Sequence, residues 1–365
     1  MIYLDHAATS FPKPPAVVAA VQHWLTEVGV SPDRGEGPST RESAAVVQRC
    51  REGIARRTGH RPERVAFCSG ATEGLNLVLR ALVKPGARVL TTWWEHSSVV
   101  RPLTALQQER GASIERVATA DELCERIRSE PPDLVVFSHA SNVTGMVTPA
   151  STVCLTARNH GVPVVLDASQ TAGYRQLDEG ADCVVASAHK GLHAPPGLGF
   201  VSVDERLELA PQKQGGTGSS VALDRHPTDW PQAFEAGTPN MPALFGLAAA
   251  LTWLEQQEQR GQMLWAGERI GELVAGLRGL PGIRVVGQPR GNSTPVLSLV
   301  HESYDPLELG SILAGAGIHV RAGYHCAPWA HERLGTAATG TLRISAGPST
   351  RSTEIDAVLD VLRTL

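Results

Sequence analysis

Two residues of this 365-residue chain could do covalent chemistry together: Lys190, in Ser187-Ala188-His189-Lys190-Gly191, and Asp167, in Val164-Val165-Leu166-Asp167-Ala168-Ser169-Gln170. Each follows or closes a short apolar, β-branched run that reads as a buried strand, so both fall at strand carboxyl ends, where open α/β sheets place ligands. A desolvated amine can condense with an aldehyde, and a carboxylate can keep a ring nitrogen protonated. These are the protein groups that pyridoxal phosphate chemistry needs most. A lysine is by default a solvated surface side chain. Here lysine is scarce among the 33 basic residues, and a hydroxyl and an imidazole flank Lys190.

Other candidates sit at further strand ends. Ser69-Gly70-Ala71-Thr72-Glu73-Gly74 follows a strand and opens a helix, where backbone N–H groups and the Thr72 hydroxyl can cradle a phosphate. The same residues also make an ordinary helix cap. His96, in Trp93-Trp94-Glu95-His96-Ser97-Ser98, can lie flat against a cofactor ring, although a lone histidine is more often structural. Asn142, in Ser138-His139-Ala140-Ser141-Asn142-Val143-Thr144-Gly145, can bond a ring oxygen or simply form a turn before Gly145. Gln170 can reach the same ring edge. Of the six cysteines, Cys50, Cys68, Cys124, Cys154 and Cys183 read as small packing residues. Cys326 differs, because Arg321, a glycine and His325 surround it in a loop, an electropositive setting that favours a nucleophilic thiolate.

The elements that must position these residues alternate from about Val65 to Val203. Arg64–Cys68, Arg88–Thr92, Leu134–Ser138, Val162–Asp167, Cys183–Ser187 and Gly199–Val203 read as strands; Thr72–Val83, Ser97–Glu109 and Pro149–His160 read as helices, with Leu75, Leu79 and Leu82 on one face. This predicts an α/β fold with a mainly parallel sheet covered on both sides. Gln212–Pro242, which includes Gly215–Ser220, reads as a long loop. Helices at Ala243–Gln259, Met263–Arg278, Asp305–Ala316 and Thr353–Leu365, with strands at Ile283–Val286, Pro295–Val300 and Leu342–Ser345, predict a smaller α+β domain. The division assigns residues 15–255 to the large domain and 1–14 with 256–365 to the small one.

Composition excludes several classes. A hydrophobic content of 42%, a charged content of 19% and a net charge of −4 describe an ordinary globular protein with no electrostatic case for nucleic acid. No apolar run reaches the ~18 residues of a membrane span. The start, Met1-Ile2-Tyr3-Leu4-Asp5-His6, lacks the basic and apolar regions of a secretory leader. Cysteines without a CxxC pair argue for the reducing cytoplasm and against disulfides. The 13 histidines contain no HExxH motif or closely spaced Cys/His set, so no metal is expected.

With these residues assembled, the chain resembles the class V aminotransferase group of fold-type I pyridoxal phosphate enzymes, and within it the cysteine desulfurases. The resemblance runs nearly the whole length: Tyr3-Leu4-Asp5-His6-Ala7-Ala8-Thr9, Gly70-Ala71-Thr72-Glu73, Asp167-Ala168-Ser169-Gln170, Ser187-Ala188-His189-Lys190 and Phe234-Glu235-Ala236-Gly237-Thr238-Pro239-Asn240. Arg321-Ala322-Gly323-Tyr324-His325-Cys326-Ala327 is the most specific segment and is similar to the cysteine motif of the group II, SufS-like enzymes. The resemblance implies that Lys190 condenses with the cofactor aldehyde, Asp167 pairs with the ring nitrogen and His96 stacks on the ring. It implies that Asn142 and Gln170 contact the ring oxygen, while Ala71, Thr72, Ser187 and His189 hold the phosphate. Thr238 would reach the phosphate of a neighbouring subunit, making a homodimer with shared sites. Arg343, with Arg321 and Asn142, would bind the carboxylate of L-cysteine. Cys326 would take the substrate sulfur as a persulfide and pass it to an acceptor thiol, a carrier protein or small reductant.

The chain departs from that pattern in Gly191-Leu192-His193-Ala194-Pro195-Pro196-Gly197, in Gly215–Ser220, and in Ala327-Pro328-Trp329-Ala330-His331, which would reshape the mouth where a persulfide meets its acceptor. The acceptor therefore need not be the one used in iron–sulfur assembly. Two other readings of the residues stand beside desulfuration. One is a carbon–sulfur lyase acting on cysteine or cystine, or a selenocysteine lyase. The other is a catalytically silent scaffold of the same fold, which the intact Asp167, Lys190 and Arg343 set argues against.

Overall fold

The computed structural model describes residues 1–32, 35–218, 224–287 and 293–365. A short strand β1 (Ile2–Tyr3) and helices α1 (Pro15–His23) and α2 (Pro38–Thr58) precede the alternating region. There β2 (Val65–Cys68), β3 (Arg88–Thr92), β4 (Ser113–Val117), β5 (Leu134–Ser138), β6 (Val164–Asp167), β7 (Cys183–Ser187) and β8 (Gly199–Val203) form a seven-stranded sheet in the order β2-β8-β7-β6-β5-β3-β4. Helices α3 (Ala71–Leu82), α4 (Ser97–Arg110), α5 (Ala120–Ser129) and α6 (Ala150–Asn159) connect its strands. Pairings from β4 through β7 are parallel, and β8 runs antiparallel to both its neighbours. The mainly parallel sheet expected from the sequence is the one observed.

Successive strand residues point to opposite faces. Leu134, Val136, Val165 and Val185 join one core with Leu75, Val78, Leu79 and Leu103. Val135, Phe137, Val164, Leu166 and Val184 join another with Val46, Ile54, Leu244 and Leu247. Burial on both faces is why these strands read as unbroken apolar runs. β4, which is not among the strands expected from the sequence, lacks such a run for the complementary reason. β4 is the sheet edge, paired only with β3, and Ser113-Ile114-Glu115-Arg116-Val117 mixes charge with apolar residues because part of it faces water.

Between Val203 and Met241 the described residues are largely irregular, with one 3₁₀ turn at Gln232–Phe234, as the Gly- and Pro-rich composition predicts. Ser219 and Ser220 of the Gly215–Ser220 stretch lie outside the described residues. Helix α7 (Met241–Gln259) runs straight through residue 255, where the domain division was drawn. It does so because Leu247, Leu251 and Leu254 keep packing on the large sheet's core along its length.

The remainder builds a third core. It comprises α8 (Trp265–Leu277), β9 (Ile283–Val286), β10 (Val296–His301), α9 (Pro306–Gly315), β11 (Ile318–His319), β12 (Arg321–Gly323), α10 (Pro328–Leu334), β13 (Thr341–Ser345) and α11 (Ser352–Leu362). Strands pair antiparallel in the order β12-β13-β10-β9, while β1 pairs parallel with β11. Leu4 joins Leu273, Leu297, Leu299, Leu313 and Leu359 in this core, so the N-terminal segment packs with the C-terminal third. On β13, Leu342 and Ile344 face that core. Strand parity therefore turns Arg343 to the opposite side, where it meets Asn142. No helix among the described residues is long and apolar enough to cross a membrane.

Candidate active site

The carboxyl ends of β2, β3, β5, β6 and β7 open on one cavity of about 210 Å³. Ala71 and Thr72 reach it from the start of α3, His96 from the turn after β3, and Asn142 from the loop after β5. Asp167 and Gln170 come from β6 and its loop, Ser187, His189 and Lys190 from β7 and its turn. Arg321 and Arg343 complete the wall from the antiparallel sheet. Twelve positions were predicted from strand ends or resemblance to hold cofactor or substrate, and Thr238 is the one outside this cavity. It is exposed and lines a second cavity of about 440 Å³, with Cys68, Glu73 and Lys213.

One end of the site is built for an anion. A Cβ on Gly74 would lie 2.8 Å from Val185 Cγ1 and 2.9 Å from Val201 Cγ2, so only glycine lets α3 sit this close to β7 and β8. That approach aims the positive end of the helix at the cavity. The Ala71 N–H donates to Ser187 Oγ at 2.9 Å, which ties the helix start to the end of β7 and sets two of the expected phosphate-holding residues side by side. Thr72 Oγ1 donates to Ser98 Oγ at 3.3 Å. His189 Nδ1 is buried without a partner. An orphaned buried polar atom of this kind costs about 1–3 kcal/mol, which a ligand contact would relieve.

The turn after β3 carries His96 and a second buried side chain, Glu95, that is not among the candidates expected from the sequence. His96 Nδ1 accepts the Ser98 backbone N–H at 3.1 Å and also bonds the Ser98 hydroxyl, which leaves the ring proton on Nε2. Burial, then the nearby Lys190 charge, pushes His96 down to about 4, so its ring is neutral. Glu95 beside it is fully buried. Its carboxyl accepts the Ser138 N–H at 2.9 Å and the Ser138 hydroxyl at 2.8 Å, and also bonds Thr92, joining the ends of β3 and β5. Burial raises it to about 7. Its signal in the sequence was a lone carboxylate between two tryptophans and a histidine, directly after a strand.

Asp167 closes β6, is buried, and accepts the Ser169 N–H at 2.9 Å through Oδ1. Lys190 lies one turn beyond β7; burial lowers its amine to about 8, against the opposing pull of Asp167. The turn is braced from behind. The His189 carbonyl accepts from Ser10 N at 3.0 Å and from Lys13 Nζ at 2.8 Å. A lysine near 8 is a free amine for a useful fraction of molecules at neutral pH, as Schiff-base chemistry requires.

Arg343 and Arg321 stand directly opposite each other across β13 and β12. Like charges so placed repel unless an anion balances them. Asp5 supplies part of that balance: Arg343 Nη2 donates to Asp5 Oδ1 at 2.7 Å, with both groups buried. Arg343 Nη1 donates to the Asn142 carbonyl at 3.1 Å, and Nε is buried with no partner. The guanidinium therefore keeps unused N–H capacity for a carboxylate. The side chain of Asn142 serves a second purpose. Its Nδ2 donates to the His325 carbonyl at 2.6 Å, while Oδ1 has no partner, so one of its two amide protons holds the neighbouring turn and the other remains for a ring oxygen.

That turn bears Cys326. His325 and Cys326 have φ of 49° and 58°, left-handed values that cost an L-residue about 1–2 kcal/mol each. Surrounding bonds offset the strain: His325 Nε2 pairs with Thr341 Oγ1 at 2.9 Å, and the Cys326 carbonyl accepts Ser97 N–H at 2.7 Å. Arg321 Nη2 lies 3.9 Å from the sulfur. Cys326 is exposed and is not a wall of the cavity, although His325 is. Cys50, Cys124, Cys154 and Cys183 are buried; Cys68 is half-buried, and burial pushes its thiol up to about 12.

These residues fit a phosphorylated pyridine aldehyde: helix start and orphaned imidazole nitrogen for the phosphate, buried acid for the ring nitrogen, depressed lysine for the aldehyde. Comparison with known proteins agrees. A probable cysteine desulfurase of Vibrio cholerae is 30% identical over 98% of this chain and 92% of its own length. A probable cysteine desulfurase of Mycolicibacterium paratuberculosis is 30% identical over all of this chain but 55% of its own length. The apo structure of a cysteine desulfurase from Thermococcus onnurineus NA1 superposes with a TM-score of 0.92 at 27% identity, covering 100% of this chain and 94% of that one. The model of the aminotransferase class-V family matches residues 2–358, and the chain belongs to that pyridoxal phosphate-dependent family.

Proposed function

We propose that this protein is a cysteine desulfurase that converts L-cysteine to L-alanine and carries the released sulfur as a persulfide on Cys326. The observation that carries the reading is the pairing of two unlike reactive groups at one site. A half-buried lysine with a depressed pKa lies inside the cavity, and the one exposed cysteine among the described residues stands at its rim, on a strained turn beside Arg321.

Ala71, Thr72, Ser187 and His189 are the residues proposed to hold the cofactor phosphate, Asp167 its ring nitrogen, Gln170 and Asn142 its ring oxygen, and His96 its face. When bound, pyridoxal phosphate supplies an aldehyde for amines and a cationic ring that stabilises negative charge on the substrate α-carbon. Arg343, assisted by Arg321, grips the substrate carboxylate and so fixes which bond of the α-carbon faces Lys190. Lys190 Nζ, whose pKa lowered to about 8 leaves a fraction of it as free amine at neutral pH, takes the α-proton and holds it for return. His96 keeps its proton on Nε2 and stays neutral, so it adds no positive charge beside the ring. Cys326 Sγ then attacks the substrate sulfur. An S–S bond forms as the substrate carbon–sulfur bond breaks; the bonding pair stays on the β-carbon, which gains the proton given up by the Cys326 thiol, so alanine leaves and the enzyme retains the added sulfur as a persulfide for an acceptor thiol.

The proposal includes a large domain of residues 15–255 and a small one of 1–14 and 256–365, supported by the separate third core that contains Leu4. It includes a homodimer in which the exposed Thr238 reaches the partner's phosphate, and a reducing cytoplasmic setting, supported by six unpaired cysteines. Incubation with L-cysteine and a reductant, reading alanine, pyruvate and sulfide together, tests the reaction. Alanine in step with sulfide, lost in Cys326→Ala, is expected. Pyruvate in step with sulfide, persisting in Cys326→Ala, would instead identify a carbon–sulfur lyase.

A further inference from the structure

Trp329, in the segment that follows Cys326, has a specific partner. Arg116, on edge strand β4, places its guanidinium carbon 3.9 Å from the ring centre of Trp93 and 4.8 Å from that of Trp329. Trp93 follows β3 and leads into His96; its N–H donates to the Val117 carbonyl at 3.1 Å, which fixes it to β4. Trp329 lies in the first turn of α10, the helix that the Cys326 turn feeds. One flat cation thus lies over both an indole that follows the parallel sheet's β3 and an indole of the cysteine-bearing segment. Each indole face attracts the charge, and the planar guanidinium can stack on both. The additional contact of Arg116 Nη1 with Glu332 is long, at 3.6 Å, and its carboxylate side is exposed, so it adds little. Beside the sandwich, Trp94 packs with Val143, Ala327 and Ala330.

The Cys326 turn needs such a hold, because two successive side-chain-bearing residues adopt left-handed backbone there. Asn142 and Ser97 secure the carbonyls of His325 and Cys326. Neither fixes the direction in which the chain leaves the turn. That direction is set by α10, and the sandwich joins α10 to the sheet edge. We infer that Arg116 is a positioning residue for Cys326: by clamping Trp329 against Trp93 it holds the exposed thiol at the mouth of the cavity, in register with a substrate sulfur. The inference rests on the desulfurase reading for its catalytic consequence, but not for the clamp itself.

Hydrogen exchange of the cofactor-loaded protein, followed at the amides of residues 324–331, reads the clamp without reference to activity. Arg116→Ala and Trp329→Ala are expected to speed exchange there on the order of 10-fold. They should lower kcat for alanine formation by a similar factor, with KM for L-cysteine and cofactor absorbance unchanged, since Arg343 and Lys190 are untouched. Arg116→Lys, which keeps a cation between the rings, should restore most of both. Unaltered exchange in Arg116→Ala overturns the clamp. A joint fall of kcat, substrate affinity and thermal midpoint, without rescue by lysine, overturns the positioning role in favour of general support. A wild type that forms no alanine refutes the desulfurase reading separately, and the exchange result still decides the clamp.

Discussion

Replacing Asp5 with alanine should be among the most destabilising single changes near the site, although Asp5 lies far from it in sequence. The Asp5 carboxylate is 2.7 Å from Arg343 Nη2. At an effective dielectric of ~20 that separation corresponds to an attraction of about 6 kcal/mol. In the native chain Arg343 is 1% exposed, and without the Asp5 carboxylate it keeps one bond to the Asn142 carbonyl and an unpartnered Nε. Water entering the space of the lost carboxylate recovers part of the loss, which leaves a net destabilisation of about 3–5 kcal/mol. Urea unfolding by circular dichroism, at fixed protein concentration, should show a lower midpoint with an unchanged denaturant slope. Asp5→Asn keeps an acceptor without the charge and should lose less. A loss under about 1 kcal/mol for Asp5→Ala would mean that Arg343 does not depend on Asp5, and the account of how the arginine is held would be wrong.

Three further outcomes follow from the geometry. The rate at which apoprotein takes up pyridoxal phosphate should rise with pH through about 8, the depressed Lys190 value, and Lys190→Ala should leave no borohydride-fixed adduct; a flat profile would refute the free-amine argument. Stability should fall as pH drops from 6.5 toward 4, because His6, His96, His139 and His189 are held near 4 by burial and the unfolded chain binds those protons first. Glu95, raised to about 7, opposes this: its contribution is present below its ordinary value of 4.5 and is lost as pH rises through 7. Glu95→Gln should therefore steepen the acid loss seen in thermal melts, and a shallower loss would contradict the assignment. Gly74→Ala puts a methyl within 3 Å of Val185 and Val201. It should cost about 1–3 kcal/mol and weaken cofactor binding by displacing the start of α3; equilibrium titration of the apoprotein measures it.

The site was legible because the parallel sheet makes it so. Lys190, Asp167, His96 and Asn142 each follow an apolar run buried on both faces, so strand recognition and site recognition were the same act. Glu95 and Asp5 escaped because their importance lies in partners, Ser138 and Arg343, that only the folded chain brings near. Edge strand β4 escaped because its charges look like those of a loop, yet it supplies Arg116. The use of the Asn142 amide to hold His325 could not be read from spacing, since it depends on a turn contributed by the other end of the chain.

The central claim is that Cys326 receives sulfur from a substrate processed at Lys190. Cofactor-loaded protein should be mixed with L-cysteine in the absence of any acceptor thiol, quenched by alkylation, and the Cys326 peptide weighed. The account predicts a gain of one sulfur atom on that peptide, matched by one equivalent of alanine. Alanine or pyruvate accumulating while the Cys326 peptide keeps its original mass would contradict it.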